Sequence, residues 1–201
     1  MANDVGMPGA PLSIEVRLAI AAHHEAGHIV IAAVEGLRLR PEGIMVGTEA
    51  EGLACYCKEP EDSDGSRERV MLSTFAGCFA QNRFCKEHGY TELEYLARIW
   101  SCDWKEARGI ATKLSDTYLA GRGIGKTQEA IERQSEALVA EKWPVITAVA
   151  AALLAGEWEA VKPLKSGSQW AKGTSAKYLT GDEVAKTGGA FGITAACVRE
   201  G

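Results

Sequence analysis

The chain has 201 residues, 46% hydrophobic and 24% charged, an ordinary globular composition with enough apolar material for one sizeable core. A formal net charge of −5 and a pI near 5.5, with no run of lysine or arginine, offer no basic surface for a phosphate backbone, so nucleic-acid binding is not expected. The opening MANDVGMPGAPLS lacks the basic-then-apolar form of a secretory signal, and the richest apolar run, Val145 to Ala155, is too short for a bilayer, so neither secretion nor membrane insertion is expected.

In chain order, residues 1–12 are rich in small residues, glycine and proline, and read as a flexible N-terminus. A helix is predicted from Ser13 to Glu35, with Pro11 and Ser13 as start and cap, Glu15 in its first turn, Gly36 closing it and no proline inside. Within it lies His24-Glu25-Ala26-Gly27-His28, an HExxH motif in an apolar run. On a helix, residues four apart lie nearly above one another, so His24 and His28 can direct two imidazoles at one metal ion, and the spacing suits zinc. Glu25, rotated about 100° from His24, can reach a water on that metal without being a ligand, which makes it the general-base candidate. The competing reading is a pair of core histidines bonded to backbone. Two histidines flanking a glutamate are a costly set of polar groups to bury without a metal.

After Gly36, the runs Ile44 to Val46 and Leu53 to Cys57 are separated by a turn and predict a hairpin, whose free edge could bind an extended substrate backbone. Residues 59–66, EPEDSDGS, read as an acidic loop. Glu61, Asp62 and Asp64 lack the spacing and terminal glutamate of a calcium-binding EF-hand loop. From Arg67 to Glu87, helical spacing of Val70, Met71, Phe75, Cys78, Phe79 and Phe84 predicts a helix across the motif helix, with Gly77 marking the close approach of a neighbouring backbone. A connecting segment leads to a helix from about Asp103 to Leu119. GRGIGKT, residues 121–127, misses the phosphate-loop pattern because position 120 is alanine and no hydrophobic strand precedes it. Thr127 to Ala155 predicts one or two packing helices, with Trp143-Pro144 as kink or boundary. The glycine-rich remainder predicts at most a small element around Tyr178 to Val184.

Cys55, Cys57, Cys78, Cys85, Cys102 and Cys197 form no CxxC pair and no dense framework, so reduced structural cysteines and a cytoplasmic location are expected. Two histidines leave a catalytic zinc one protein ligand short, and the third is usually His, Glu or Asp from a later element. The metzincin extension is excluded because IVIAAV follows His28. His88, Glu92, Glu94 and Asp103 remain.

The order of these features resembles the peptidase domain of the FtsH family of ATP-dependent zinc metalloproteases. HHEAGHIVIA is like its HEAGHA signature, GLACYCKEP resembles the segment with its substrate-binding strand, and FAGCFAQNRF resembles its glycine-containing helix. WSCDWKEARGIATKL resembles the stretch carrying its third zinc ligand, and EALVAEKWPVITAVAAALL with YLTGDEVAK resembles its closing helix and terminal element. The resemblance implies His24, His28 and Asp103 as ligands of Zn2+, Glu25 as the base, and a peptidase domain over residues 13–187 followed by a tail, 188–201. It implies a mainly α, helical zincin-type fold with a small β-hairpin beside the HExxH helix. IWSCDW is a loose match to the family's loop before the aspartate. Neither an AAA ATPase module nor a membrane anchor is read in the sequence. The expected activity is therefore ATP-independent hydrolysis of peptide or unfolded protein, with any partner protein or homo-oligomer left open. The alternative is a metallopeptidase-like binding or regulatory module without relevant turnover.

Overall fold

Helix α1, Ile14–Val34, is the centre of the protein in a computed structural model that describes residues 12–57, 64–90, 127–162 and 173–196. Ser13 starts it, its hydroxyl accepting from the Val16 N–H at 3.4 Å. Gly36, at φ +76°, ends it: its N–H donates to Ala33 O and that of Leu37 to Ala32 O, at 3.1 and 2.8 Å. This is the paired closure that a left-handed residue after a helix permits. Every residue from Ile20 to Ala33 is buried, so α1 has no solvent face over this stretch and must be covered on all sides.

The cover comes from two directions. Helix α2, Asp64–Glu87, supplies Met71, Leu72 and Phe75 to the main core. It begins inside the expected acidic loop, with Asp64 paired to Arg67 at 2.9 Å, because the first turn of a helix favours a carboxylate. Helices α3, Thr127–Glu141, and α4, Trp143–Ala155, meet at a 71° bend. Pro144 sits in the first turn of α4, where a missing N–H costs nothing, and Val145, Ile146, Val149 and Leu153 face inward. Among the described residues no single helix is long and apolar enough to cross a membrane.

The expected hairpin is present but is only half of its sheet. Strands β1, Leu39–Gly47, and β2, Gly52–Tyr56, pair antiparallel with Ile44 opposite Ala54 and Val46 opposite Gly52. On its other side β1 pairs with β4, Ser175–Leu179, which pairs with the short β3, Glu159–Ala160. The order is β2-β1-β4-β3, all antiparallel. The described part is thus a mixed α/β fold, 61% helical and so as rich in helix as expected, with five helices and a four-stranded antiparallel sheet where only a hairpin was expected.

The element expected around Tyr178 to Val184 divides into β4 and helix α5, Gly181–Gly189. Thr180 and Glu183 cap α5 reciprocally, each side chain accepting from the other's backbone N–H. Beyond α5, Ile193 and Ala195 pack on the core, and Ala196 O accepts from the Leu39 N–H at 2.8 Å. The turn from β4 into α5 passes so close to β1 that a Cβ on Gly43 would lie 2.6 Å from Thr180 C. Gly43 also has φ +63° and sits where the β1–β2 register slips between Leu39 and Ile44. The Lys177 ammonium donates to Leu154 O and Gly156 O at 2.6 and 2.7 Å, tying β4 to the negative end of α4.

Helices α1 and α2 approach at Gly27. A Cβ there would lie 2.6 Å from Ala76 O and 2.7 Å from the Ala80 Cβ. Gly27→Ala is therefore expected to lower stability by about 1–3 kcal/mol, against the gain that alanine brings to an ordinary helix. Urea unfolding of the two proteins measures the difference.

Candidate metal centre

His24, Glu25 and His28 are all buried in the middle of α1, where ionisable groups are rarely found without compensation. The structure brings the two imidazoles together edge to face, with centroids 4.6 Å apart. Each is held from behind by α2. His28 Nδ1 lies 2.8 Å from Ser73 O, and because a carbonyl only accepts, that nitrogen carries the proton. The Ser73 hydroxyl returns a bond to His28 O at 2.9 Å. His24 Nδ1 lies 2.9 Å from Gln81 Oε1, and with the amide oxygen so turned it donates to it. With both Nδ1 atoms protonated, the neutral rings turn two Nε2 lone pairs towards each other, 2.9 Å apart. In that tautomer the contact is stable only with a cation between the nitrogens, a proton or a metal.

The donor set fits zinc. Two imidazole nitrogens on a tetrahedral zinc, each at ~2.0–2.1 Å, stand roughly 3.3 Å apart, which a small ring rotation reaches from the observed spacing. An Nδ1 already bonded to a carbonyl or amide oxygen is the usual support behind a zinc-bound histidine. Space for the rings is made by glycines. A Cβ on Gly77 would fall on the imidazole of His28, 2.8 Å from Cδ2 and nearer still to Nε2. The close approach expected at Gly77 is thus real, but the neighbour is the His28 ring and not a backbone. A Cβ on Gly52, the first residue of β2, would lie 2.8 Å from Glu25 Cδ, so the hairpin lies directly over the general-base candidate.

The other sequence candidates divide cleanly. Among the described residues no three His, Cys, Asp or Glu side chains gather as a metal site. His88 is therefore removed as a third ligand. Its ring is stacked on Phe84, centroids 4.2 Å apart, with Nδ1 donating to Phe84 O. Asp103, Glu92 and Glu94 lie outside the described residues. His23, adjacent to the motif, donates from Nδ1 to Ala19 O at 2.7 Å and stacks on Phe84. Burial holds it below its ordinary 6.5, so it packs as a neutral ring. Cys55, Cys57, Cys78 and Cys85 form no disulfide. Burial foremost, then the Glu42 carboxylate, pushes the Cys55 thiol up to about 11 against the pull of Arg40, and Glu25 adds to the rise. A protonated thiol is a poor metal ligand.

Ser73 and Gln81 are the site residues that the sequence reading missed. The signal was present: Ser73, Gly77 and Gln81 recur at four-residue spacing, a stripe of polar and small residues along one face of α2. The chain matches no known family model and no curated protein.

Two outcomes are expected. Gly77→Ala raises helix propensity by ~1 kcal/mol yet pushes the His28 ring aside, so the folded variant should lose metal. Zinc content after dialysis, read beside a circular-dichroism melt, checks this. Cys55 and Cys85, both held at about 11 against an ordinary 9.0, should alkylate at pH 8 about 100-fold more slowly in the folded protein than in denaturant, with the rate climbing as pH approaches 11. Mass-spectrometric mapping of iodoacetamide labelling gives both rates.

Proposed function

We propose that this chain is a zinc-dependent metallopeptidase of the FtsH peptidase type, an endopeptidase that hydrolyses peptide bonds in peptide or unfolded protein substrates without ATP. The observation that carries the reading is the pair of Nε2 atoms 2.9 Å apart, each ring fixed through Nδ1, one residue from a buried glutamate. His24 and His28 would hold the zinc, with Asp103 as third ligand. Bound there, zinc would supply Lewis acidity, bringing the pKa of a water in the site down towards ~7.

The remaining work falls to the chain's own residues. Glu25 takes the proton of the attacking water and passes it to the departing amine, so the carboxylate ends the cycle as it began. Its burial under Gly52 excludes bulk water and strengthens its interaction with positive charge in the site. Among the described residues strand β2 ends the sheet order, and its outer edge can pair with an extended substrate whose backbone then runs beside Glu25. Ser73 and Gln81 hold the imidazoles in place throughout.

Glu25→Gln should bind zinc as the wild type does and lose activity by ~100- to 10,000-fold, the usual contribution of a general base. His24→Ala and His28→Ala should lose both metal and activity while the fold, which has its own hydrophobic core, survives with reduced stability. Asp103→Ala should lose zinc where Glu92→Ala and Glu94→Ala do not. Casein or peptide cleavage, with zinc content measured for each variant, tests all of these. Cleavage by Glu25→Gln at the wild-type rate overturns the mechanism, and loss of zinc in a Glu92 or Glu94 variant alone reassigns the third ligand.

A further inference from the structure

The two histidines differ in what stands behind them. His28 Nδ1 faces Ser73 O, a pure acceptor, so His28 keeps its proton on Nδ1 in every state. His24 Nδ1 faces a primary amide, which presents either an acceptor or a donor after a half-turn about its last bond. With Oε1 turned to His24, the fully buried Gln81 leaves its Nε2 with no hydrogen-bond partner among the described residues. A buried amide that accepts one good bond while stranding two donors sits close in energy to its flipped form.

The flipped form has a specific consequence. Gln81 Nε2 then donates to His24 Nδ1, the His24 proton resides on Nε2, and that N–H donates across the 2.9 Å gap to the Nε2 lone pair of His28. The same spacing that demands a cation in one tautomer is an ordinary hydrogen bond in the other. His24 is neutral in both, so one proton leaves Nε2 as one arrives at Nδ1 and the site neither gains nor loses charge. We propose that Gln81 is a positioning residue whose amide turns over with metal: donor to His24 in the empty site, acceptor from His24 when zinc is bound. This rests on the zinc reading above. The arrangement keeps the empty site neutral and hydrogen-bonded, yet presents two lone pairs without loss of a proton from either ring. A carboxylate at position 81, being acceptor only, could not serve the empty state in this way.

The test is the nitrogen-15 spectrum of the histidine rings in the full chain, with and without zinc, the four histidines being assigned by single variants. On adding zinc, His24 should change from the Nε2–H to the Nδ1–H tautomer while His28 remains Nδ1–H. Gln81→Met, which has neither donor nor acceptor, should bind zinc ~10- to 100-fold more weakly in competition with a chromophoric chelator. Gln81→Glu, an acceptor, should restore zinc binding but show His24 as Nδ1–H with and without metal. A wild type that takes up no zinc overturns the metal reading and this inference with it. A wild type that binds zinc with His24 in one tautomer throughout overturns this inference alone, as does Gln81→Met binding zinc as tightly as wild type. The wild-type spectra decide the matter even if both variants fail to fold.

Discussion

The closeness of α1 and α2 is the constraint on which the rest of the structure depends. Gly27 meets the Ala76 carbonyl and the Ala80 methyl, and Gly77 meets the ring of His28, so both helices are stripped of side chains where they touch. Nothing larger fits, since interiors are packed at crystal density and a single added carbon must displace backbone or a ring. The same closeness lets α2 act on α1 chemically. Ser73 and Gln81 reach imidazoles 45 and 57 residues earlier in the chain only because the helix axes are held together.

A second consequence concerns polarity. α1 is buried all round from Ile20 to Ala33, yet that stretch carries three histidines and a glutamate. Each polar group placed there forfeits hydration, and the structure offsets the loss with short bonds to groups that no longer face water: His23 to Ala19 O, His24 to Gln81, His28 to Ser73 O. Bonds of this kind fix ring orientation as well as energy. A carboxylate beside such rings acts in a medium where charge is weakly screened, the condition under which a single positioned glutamate has most effect.

What was legible in the sequence was what local chemistry dictates. The Ser13 cap, the Gly36 stop, the HExxH spacing, the hairpin around residues 47–52 and the break at Trp143-Pro144 all appear where expected, because each depends on residues within a turn or two of one another. The sheet was underread for the opposite reason. Strand β4 gains its identity from pairing with β1, and SAKYL carries too little alternation to announce a strand alone. Gly77 shows a subtler limit: a helix-interior glycine signals that something comes close without saying what, and here it is an imidazole. Ser73 and Gln81 read as ordinary polar residues until the partner helix is in view. Asp103, the ligand that the resemblance implies, lies outside the described residues.

The strand order β2-β1-β4-β3 also sets when the molecule can be finished. β1 lies next to the motif helix near the start of the chain, but half of its pairing comes from residues 175–179, and the turn that follows them packs on Gly43. Contacts between such distant segments form late, because the loop between them must be closed first. During synthesis, α1, β1 and β2 emerge from the ribosome long before the strand and helix that complete their surroundings. The packing around α1 therefore stays incomplete until residues 175–189 have been made, so the order of the strands acts as a timer on when the buried polar groups of this helix reach their final setting.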